Sequence, residues 1–205
     1  KNLVIDDSCT WNPTLPGNAA MIVLLNHGII SGIETNVDVE KDEFDLAGTT
    51  CFAPVAARSY KQIFNCTNNG NISLTNMNWT SGNLHLGGIA GYAWYSAGEE
   101  FVANCINNGT ITLSTAQDVP GKNYYVGGIL GSTSTNAWTS LTEEQDFGIV
   151  SNCINNGAVT CERKGILNGT YANIGGVAGY VDGDVVSCVN NATVSYLNVH
   201  DTTVD

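Results

Sequence analysis

At 205 residues, 43% of them hydrophobic and with no apolar run of eighteen or more, the chain can bury one extended core and offers no helical membrane span. Nineteen acidic against seven basic side chains give a formal charge of −12, which repels nucleic-acid phosphates and anionic membrane surfaces. Nucleic-acid binding and direct membrane insertion are therefore not expected.

Lys1 is not followed by the basic, apolar and small-residue series of an export signal. Residues 1–23 carry no clear repeat and read as an N-terminal cap or a degenerate first coil. From Leu24 to the end, residues 24–205, the chain repeats itself. Leu24-Leu25-Asn26-His27-Gly28 fits as a first, worn copy of a block whose good copies are Cys66-Thr67-Asn68-Asn69-Gly70, Cys105-Ile106-Asn107-Asn108-Gly109 and Cys153-Ile154-Asn155-Asn156-Gly157. Cys188-Val189-Asn190-Asn191-Ala192 closes the series.

A second block follows each good copy: Gly87-Gly88-Ile89-Ala90-Gly91, Gly127-Gly128-Ile129-Leu130-Gly131 and Gly175-Gly176-Val177-Ala178-Gly179. The step from Cys to the first Gly is 21, 22 and 22 residues, and the same step from Leu24 lands on Leu46, beside Ala47-Gly48. The block-to-block period is irregular, 42, 39, 48 and 35 residues, as expected where strands stay constant and outer loops absorb insertions.

Within the third repeat, Thr110 to Leu113, Tyr124 to Leu130 and Phe147 to Ile154 are rich in β-branched and aromatic residues, and Asn, Gly, Ser, Thr and Pro lie between them. Helical periodicity is absent. The pattern predicts an all-β chain, a right-handed parallel β-helix (β-solenoid) with three strands per coil, four to five coils and long inter-strand loops.

Coils of that kind place equivalent residues in ladders about 4.8 Å apart. Cys66, Cys105, Cys153 and Cys188 then line one inner face as small apolar thiols, while Cys9, Cys51 and Cys161 fall outside the register. Seven is an odd number for a disulfide framework, no Cys-x-x-Cys or Cys/His zinc pattern occurs, and His27, His85 and His200 are scattered. The Asn-Asn-Gly steps suit sharp corners at positive φ, with amides that hydrogen-bond up and down the ladder. Ile89, Ile129 and Val177 should share one buried ladder.

The pairing of Cys-x-Asn-x-Gly-x-Val/Ile with Gly-Gly-Ile/Val-x-Gly, clearest over Val150 to Val159 and Ile174 to Tyr180, resembles the GLUG-type repeats of bacterial surface proteins. The resemblance covers roughly residues 60 to 195. It implies a cell-surface or secreted, adhesin-like protein; the zinc motif of the protease domains sometimes attached to such repeats, His-Glu-x-x-His, does not occur in this chain.

No Gly-x-Ser-x-Gly elbow or phosphate-binding loop is present. The loops after the glycine strands carry the candidate site: Trp94, Tyr95, Glu99 and Glu100, then Trp138, Glu143 and Glu144, then Tyr180, Asp182 and Asp184. In register these would form an acidic, aromatic stripe that contacts a glycan or protein on a host or self surface, rings stacking on sugars and paired acids able to hold calcium. The expectation is a non-enzymatic extracellular or cell-surface protein with no obligatory cofactor. The alternative is a polysaccharide-degrading lyase or glycoside hydrolase using the acid pairs. A lyase would also want a base beside them, and by sequence Arg58, Lys122, Arg163 and Lys164 lie outside these loops.

Overall fold

A computed structural model describes residues 2–13, 15, 17–95, 100–116, 122–135, 149–164 and 171–199. The chain is all-β: among the described residues there are twenty-six short strands and no helix, and the strands pair in parallel. Among the described residues no helix is long and apolar enough to cross a membrane.

The strands alternate as the physics of a half-buried strand requires. In Ile111–Thr115, the side chains of Ile111, Leu113 and Thr115 are buried and those between them are half-exposed. Equivalent strands of successive repeats pair with each other, which sorts them into five sheets. The repeat after Cys105 shows the order: Ile106–Asn107, Ile111–Thr115, Tyr124–Gly127, Leu130–Thr135 and Ile149–Ser151 enter five different sheets. Each then pairs with its counterpart one repeat later: Ile154–Asn155, Val159–Lys164, Ala172–Gly175, Ala178–Tyr180 and Asp184–Val186.

Five strands per repeat replace the three expected. The stretch Tyr124 to Leu130 is broken at Gly128-Ile129, where the amides of Ile129 and Leu130 both donate to the Val177 carbonyl, at 2.8 and 3.0 Å. The stretch ending at Ile154 is broken at Asn152, whose φ is +52°. That left-handed position recurs in every repeat, just before the Cys position: Asn2, Gly32, Asn65, Asn104, Asn152 and Ser187 all have φ between +52° and +64°. Asn tolerates this region better than other side-chain-bearing residues.

The corner is therefore not the Asn-Asn-Gly step, as the sequence suggested. Gly70, Gly109 and Gly157 are absent from the positive-φ residues, and close approach demands them instead. A Cβ on Gly109 would fall on the Gly70 carbonyl, and one on Gly157 on the Gly109 carbonyl.

The register also moves the first repeats. Thr67 pairs with Glu34 and Asn68 with Thr35, so Ile33-Glu34-Thr35-Asn36-Val37 precedes the Cys66 block, and Leu3–Ile5 precedes that. Leu24 to Gly28 is no copy of it: Leu25 and Asn26 pair with Arg58 and Ser59 in another sheet. Likewise Phe52 pairs with Leu86, so the worn glycine block is Ala53-Pro54-Val55-Ala56-Ala57 and not the neighbourhood of Leu46. Small residues fill the same roles there without the motif.

Two apolar clusters form the core. One gathers Val39, Ile72, Ile111 and Val159 with Phe52, Leu86 and Val126; Trp11 stacks on Phe52 at 5.0 Å and Leu15 packs alongside, so part of segment 1–23 lies against it. The other holds Val55, Ile89 and Ile129 buried in one ladder, as expected of the two isoleucines, with Val177 packed against its end but only half-buried. Cys66, Cys105 and Cys153 lie in the same cluster, fully buried, with Cys188 beside them, and all seven cysteines are free thiols. Cys51 and Cys161 are buried elsewhere, and burial pushes the Cys161 thiol up to about 12.

Between the clusters runs a buried amide ladder. Asn68 Nδ2 donates to Asn107 Oδ1, Asn107 to Asn155 and Asn155 to Asn190, each at 2.8 Å, and Thr35 Oγ1 donates to Asn68 Oδ1. The second Nδ2 hydrogen of Asn68, Asn107 and Asn155 goes to the carbonyl two residues on, Gly70, Gly109 and Gly157, and Nδ2 of Asn190, the exposed end of the ladder, likewise donates to Ala192. A parallel, exposed ladder joins Asn36, Asn69, Asn108, Asn156 and Asn191. The glycine blocks complete the arrangement, because a Cβ on Gly88, Gly128 or Gly176 would collide with Asn107, Asn155 or Asn190. The two sequence motifs are the two sides of one contact.

Candidate functional site

The strands Leu84–Gly87 and Ala90–Tyr95 present their outward side chains on adjoining sheets, and the parallel register sets residues of neighbouring repeats beside them. One ladder reads Cys51, His85, Tyr125, Asn173; the other reads Leu25, Arg58, Tyr92, Ser132, Tyr180. The result is a continuous array of seven rings. His27 stacks on Tyr60 (4.9 Å, 5°), Tyr60 on Trp94 (6.0 Å), Trp94 meets Tyr92 edge-on (6.2 Å), and Tyr92 meets His85 edge-on (5.0 Å). His85 stacks on Tyr125 (4.8 Å, 10°), and Tyr125 meets Tyr180 edge-on at 5.9 Å.

The rings stack largely on one another, not as open platforms for a sugar. Such stacking is favourable for rings held in register. It leaves most of the rings exposed only in part, on a rigid backing. Tyr60, Tyr92, Trp94 and Tyr125 are half-exposed, and His27 and Tyr180 exposed.

Arg58 is embedded in this array. Its Nε donates to Cys51 Sγ at 3.3 Å and its guanidinium carbon lies 5.7 Å from the Tyr92 ring centre. Sequence position alone had set Arg58 apart from the aromatic residues; register brings it to them. His85 is the buried member, 7% exposed, with Nδ1 2.6 Å from Ser132 Oγ. Burial, and secondarily the Arg58 charge, hold the imidazole down to about 4, so it is neutral at physiological pH. The Ser/His pair, 47 residues apart, is invisible in the sequence. Ser132 is only 1% exposed, so its hydroxyl cannot meet a substrate and the pair orients the imidazole.

The sign of the His85 effect on stability follows. Between the ordinary value of 6.5 and about 4, the unfolded chain binds a proton that the folded chain refuses. Stability should fall by about 1.4 kcal/mol per pH unit as pH drops through that window. Carboxylates titrate in the lower part of the same range, so the measurement is a difference. Urea unfolding of the parent minus His85→Gln should lose about 3 kcal/mol between pH 7 and pH 4; a flat difference would show that the buried ring takes up its proton freely.

Of the residues expected to form one stripe, Trp94 and Tyr180 join this array. Asp182 follows Tyr180, whose hydroxyl donates to Asp182 Oδ1 at 3.4 Å, while the Asp182 amide donates to Thr133 Oγ1 at 2.7 Å. Glu100 and Asp184 lie in a different sheet, both pairing with Ile149, and Glu100 Oε1 accepts from Ser151 Oγ at 2.9 Å. Tyr95 ends its strand. Glu99, Trp138, Glu143 and Glu144 lie outside the described residues. The rings that sequence reasoning missed lie within strands (His85, Tyr92, Tyr125) or one residue past a strand's end (His27, Tyr60). Their signal was alternation within each strand, not recurrence between repeats.

Elsewhere, an open depression of about 430 Å³ is lined by Glu43, Asp45, Asn76, Asn78, Ala116 and Lys164, with Asp45 Oδ1 already accepting from Asn78 Nδ2. Among the described residues no group of three or more His, Cys, Asp or Glu gathers as a metal site. No protein-family model, curated protein or solved structure matches the chain.

Proposed function

We propose that this is a non-enzymatic glycan-binding protein of a bacterial surface or secretion, a right-handed β-solenoid of GLUG type whose adhesive face is the ring array. The observation that carries the reading is the continuity of seven rings from His27 to Tyr180 on sheets with parallel register. Tyr and Trp supply large, rigid contact area with few torsions to freeze, and their edges combine apolar carbon with hydrogen-bonding groups. A sugar presents the matching mixture of C–H and hydroxyl surface. The solenoid reading is supported by the repeat-to-repeat strand pairing in all five sheets.

The test is an immobilised glycan panel probed with the parent and with a Tyr60→Ala/Trp94→Ala double variant. A ligand that retains the parent should bind the variant at least about tenfold more weakly, since truncating a central aromatic commonly costs 2 kcal/mol or more. Unfolding curves establish that the variant is folded. Undiminished binding by the variant would move the site elsewhere, and release of reducing ends or unsaturated products from a polysaccharide panel would replace the binding reading with an enzymatic one.

A further inference from the structure

We infer that the ring array selects an acidic glycan, a uronate- or sialate-bearing chain whose carboxylate docks on the guanidinium of Arg58. The inference rests on the glycan-binding reading and adds the chemical class of the ligand.

Arg58 is the anomaly that leads to it. The chain has nineteen acidic and seven basic side chains, so a carboxylate is the commonest charged neighbour available to an arginine. Yet the described groups that touch or polarise this one are Cys51, Tyr60 and Tyr92, none of them a carboxylate. The Cys51 bond uses one of five N–H donors in a planar fork. Half-burial, the thiol and the Tyr92 ring hold the group in place, so little side-chain entropy remains to be lost when a ligand binds. An arginine fork pairs with a carboxylate through two parallel hydrogen bonds, a geometry that a neutral sugar hydroxyl does not reproduce.

The surroundings sharpen the choice. His85, whose imidazole feels the Arg58 charge, is buried and neutral, so it adds no second positive charge beside the guanidinium. Asp182 stands at the opposite end, beside Tyr180, three strands further along the ladder that contains Arg58. Charge is therefore graded along the face. One acidic residue of a glycan is attracted at the Arg58 end, and a second at the Tyr180 end is repelled. Tyr60 and Tyr92, both half-exposed, lie beside the guanidinium and supply the mixed apolar and hydroxyl edges suited to the sugar that carries the carboxylate. An acidic peptide would satisfy the arginine but leaves the extended ring edges without matching hydroxyls.

The experiment uses the whole chain and soluble oligosaccharides of galacturonate, glucuronate and N-acetylneuraminate, each paired with its methyl ester, together with a glutamate hexapeptide. Titration calorimetry should show at least one acid bound about tenfold or more tighter than its own ester, and tighter than the peptide. Arg58→Gln should bind that acid and its ester equally; Arg58→Lys, which keeps the charge but not the fork, should fall between. The acid-against-ester comparison on the parent needs no variant, so misfolding of either substitution leaves the inference exposed. Equal affinity for every acid and its ester overturns the inference and leaves the glycan-binding reading standing. An acid preference that persists in folded Arg58→Gln, or a peptide bound as tightly as the best uronide, also overturns it. If no oligosaccharide, acidic or neutral, binds the parent, both readings fail together.

Discussion

Asn107→Leu should lower the free energy of unfolding by about 3–6 kcal/mol, because each buried hydrogen-bonding group left without a partner costs about 1–3 kcal/mol. Leucine has nearly the shape of asparagine, so the substitution opens little cavity and isolates the polar loss. Three groups lose their partner at once: Asn68 Nδ2, which donates to Asn107 Oδ1, and Asn155 Oδ1 and the Gly109 carbonyl, which accept from Asn107 Nδ2. Asn107 is fully buried, so water does not replace them. The loss is comparable with the whole stability of many domains. Asn108→Ala supplies the contrast. Its amide also bridges two repeats, donating to Asn69 and accepting from Asn156, but on the exposed side, where solvent takes over both bonds. That variant should lie within about 1 kcal/mol of the parent. Urea unfolding of both separates the cases, and equal costs would show that burial of the inner ladder contributes nothing.

The same pair of positions explains which parts of the fold were legible. The blocks around Cys66, Cys105 and Cys153 were readable because their roles admit few residue types. An amide must bond both ways along a buried ladder, and a glycine must let a neighbouring carbonyl approach. At the start of the chain the roles persist while the letters change. Thr35 ends the amide ladder with a hydroxyl, and Val55 occupies the Ile89 position within Ala53-Pro54-Val55-Ala56-Ala57. Leu24 to Gly28 therefore matches the motif better than the true first copies do, with the right letters in the wrong sheet. Local chemistry misled once more: Asn-Asn-Gly looks like a positive-φ corner, whereas the positive φ falls one residue before the Cys.

The ring array was less legible for a related reason. Its ladders do not conserve a residue type: Cys51, His85, Tyr125 and Asn173 share one, and Arg58, Tyr92, Ser132 and Tyr180 another. Core positions repeat because each repeat must fill the same space, but outward positions are released from that requirement and drift toward whatever surface the protein presents. Self-similarity finds the scaffold and passes over the face. Only the register, fixed by the buried ladders, shows that residues as far apart as His27 and Tyr180 lie in one array.

Gly109→Ala should be among the most damaging single substitutions in the chain, costing about 3–5 kcal/mol, at the upper end of what point mutations do. The added methyl would fall on the Gly70 carbonyl, within bonded rather than van der Waals range, and alanine has no rotamer through which to escape. The two strands must part or the peptide must rotate. Either movement disturbs bonds anchored at this point: the Asn107 side chain to the Gly109 carbonyl at 2.8 Å, the Asn108 amide to the Asn68 carbonyl at 2.7 Å, and the Ile72 amide to the Thr110 carbonyl at 2.8 Å. The Gly109 carbonyl in turn faces Gly157 of the next repeat, so a displacement passes on along the ladder. Gly28→Ala is the matched control. Nothing lies within 4 Å of a Cβ there and φ is not positive, so the exchange should be neutral or stabilise by up to about 1 kcal/mol through the unfolded chain. Unfolding midpoints and slopes of the two variants decide the matter. If Gly109→Ala unfolds like Gly28→Ala, the strands at this corner are not in the close contact described, and the amide ladder that depends on the same spacing loses its geometric basis.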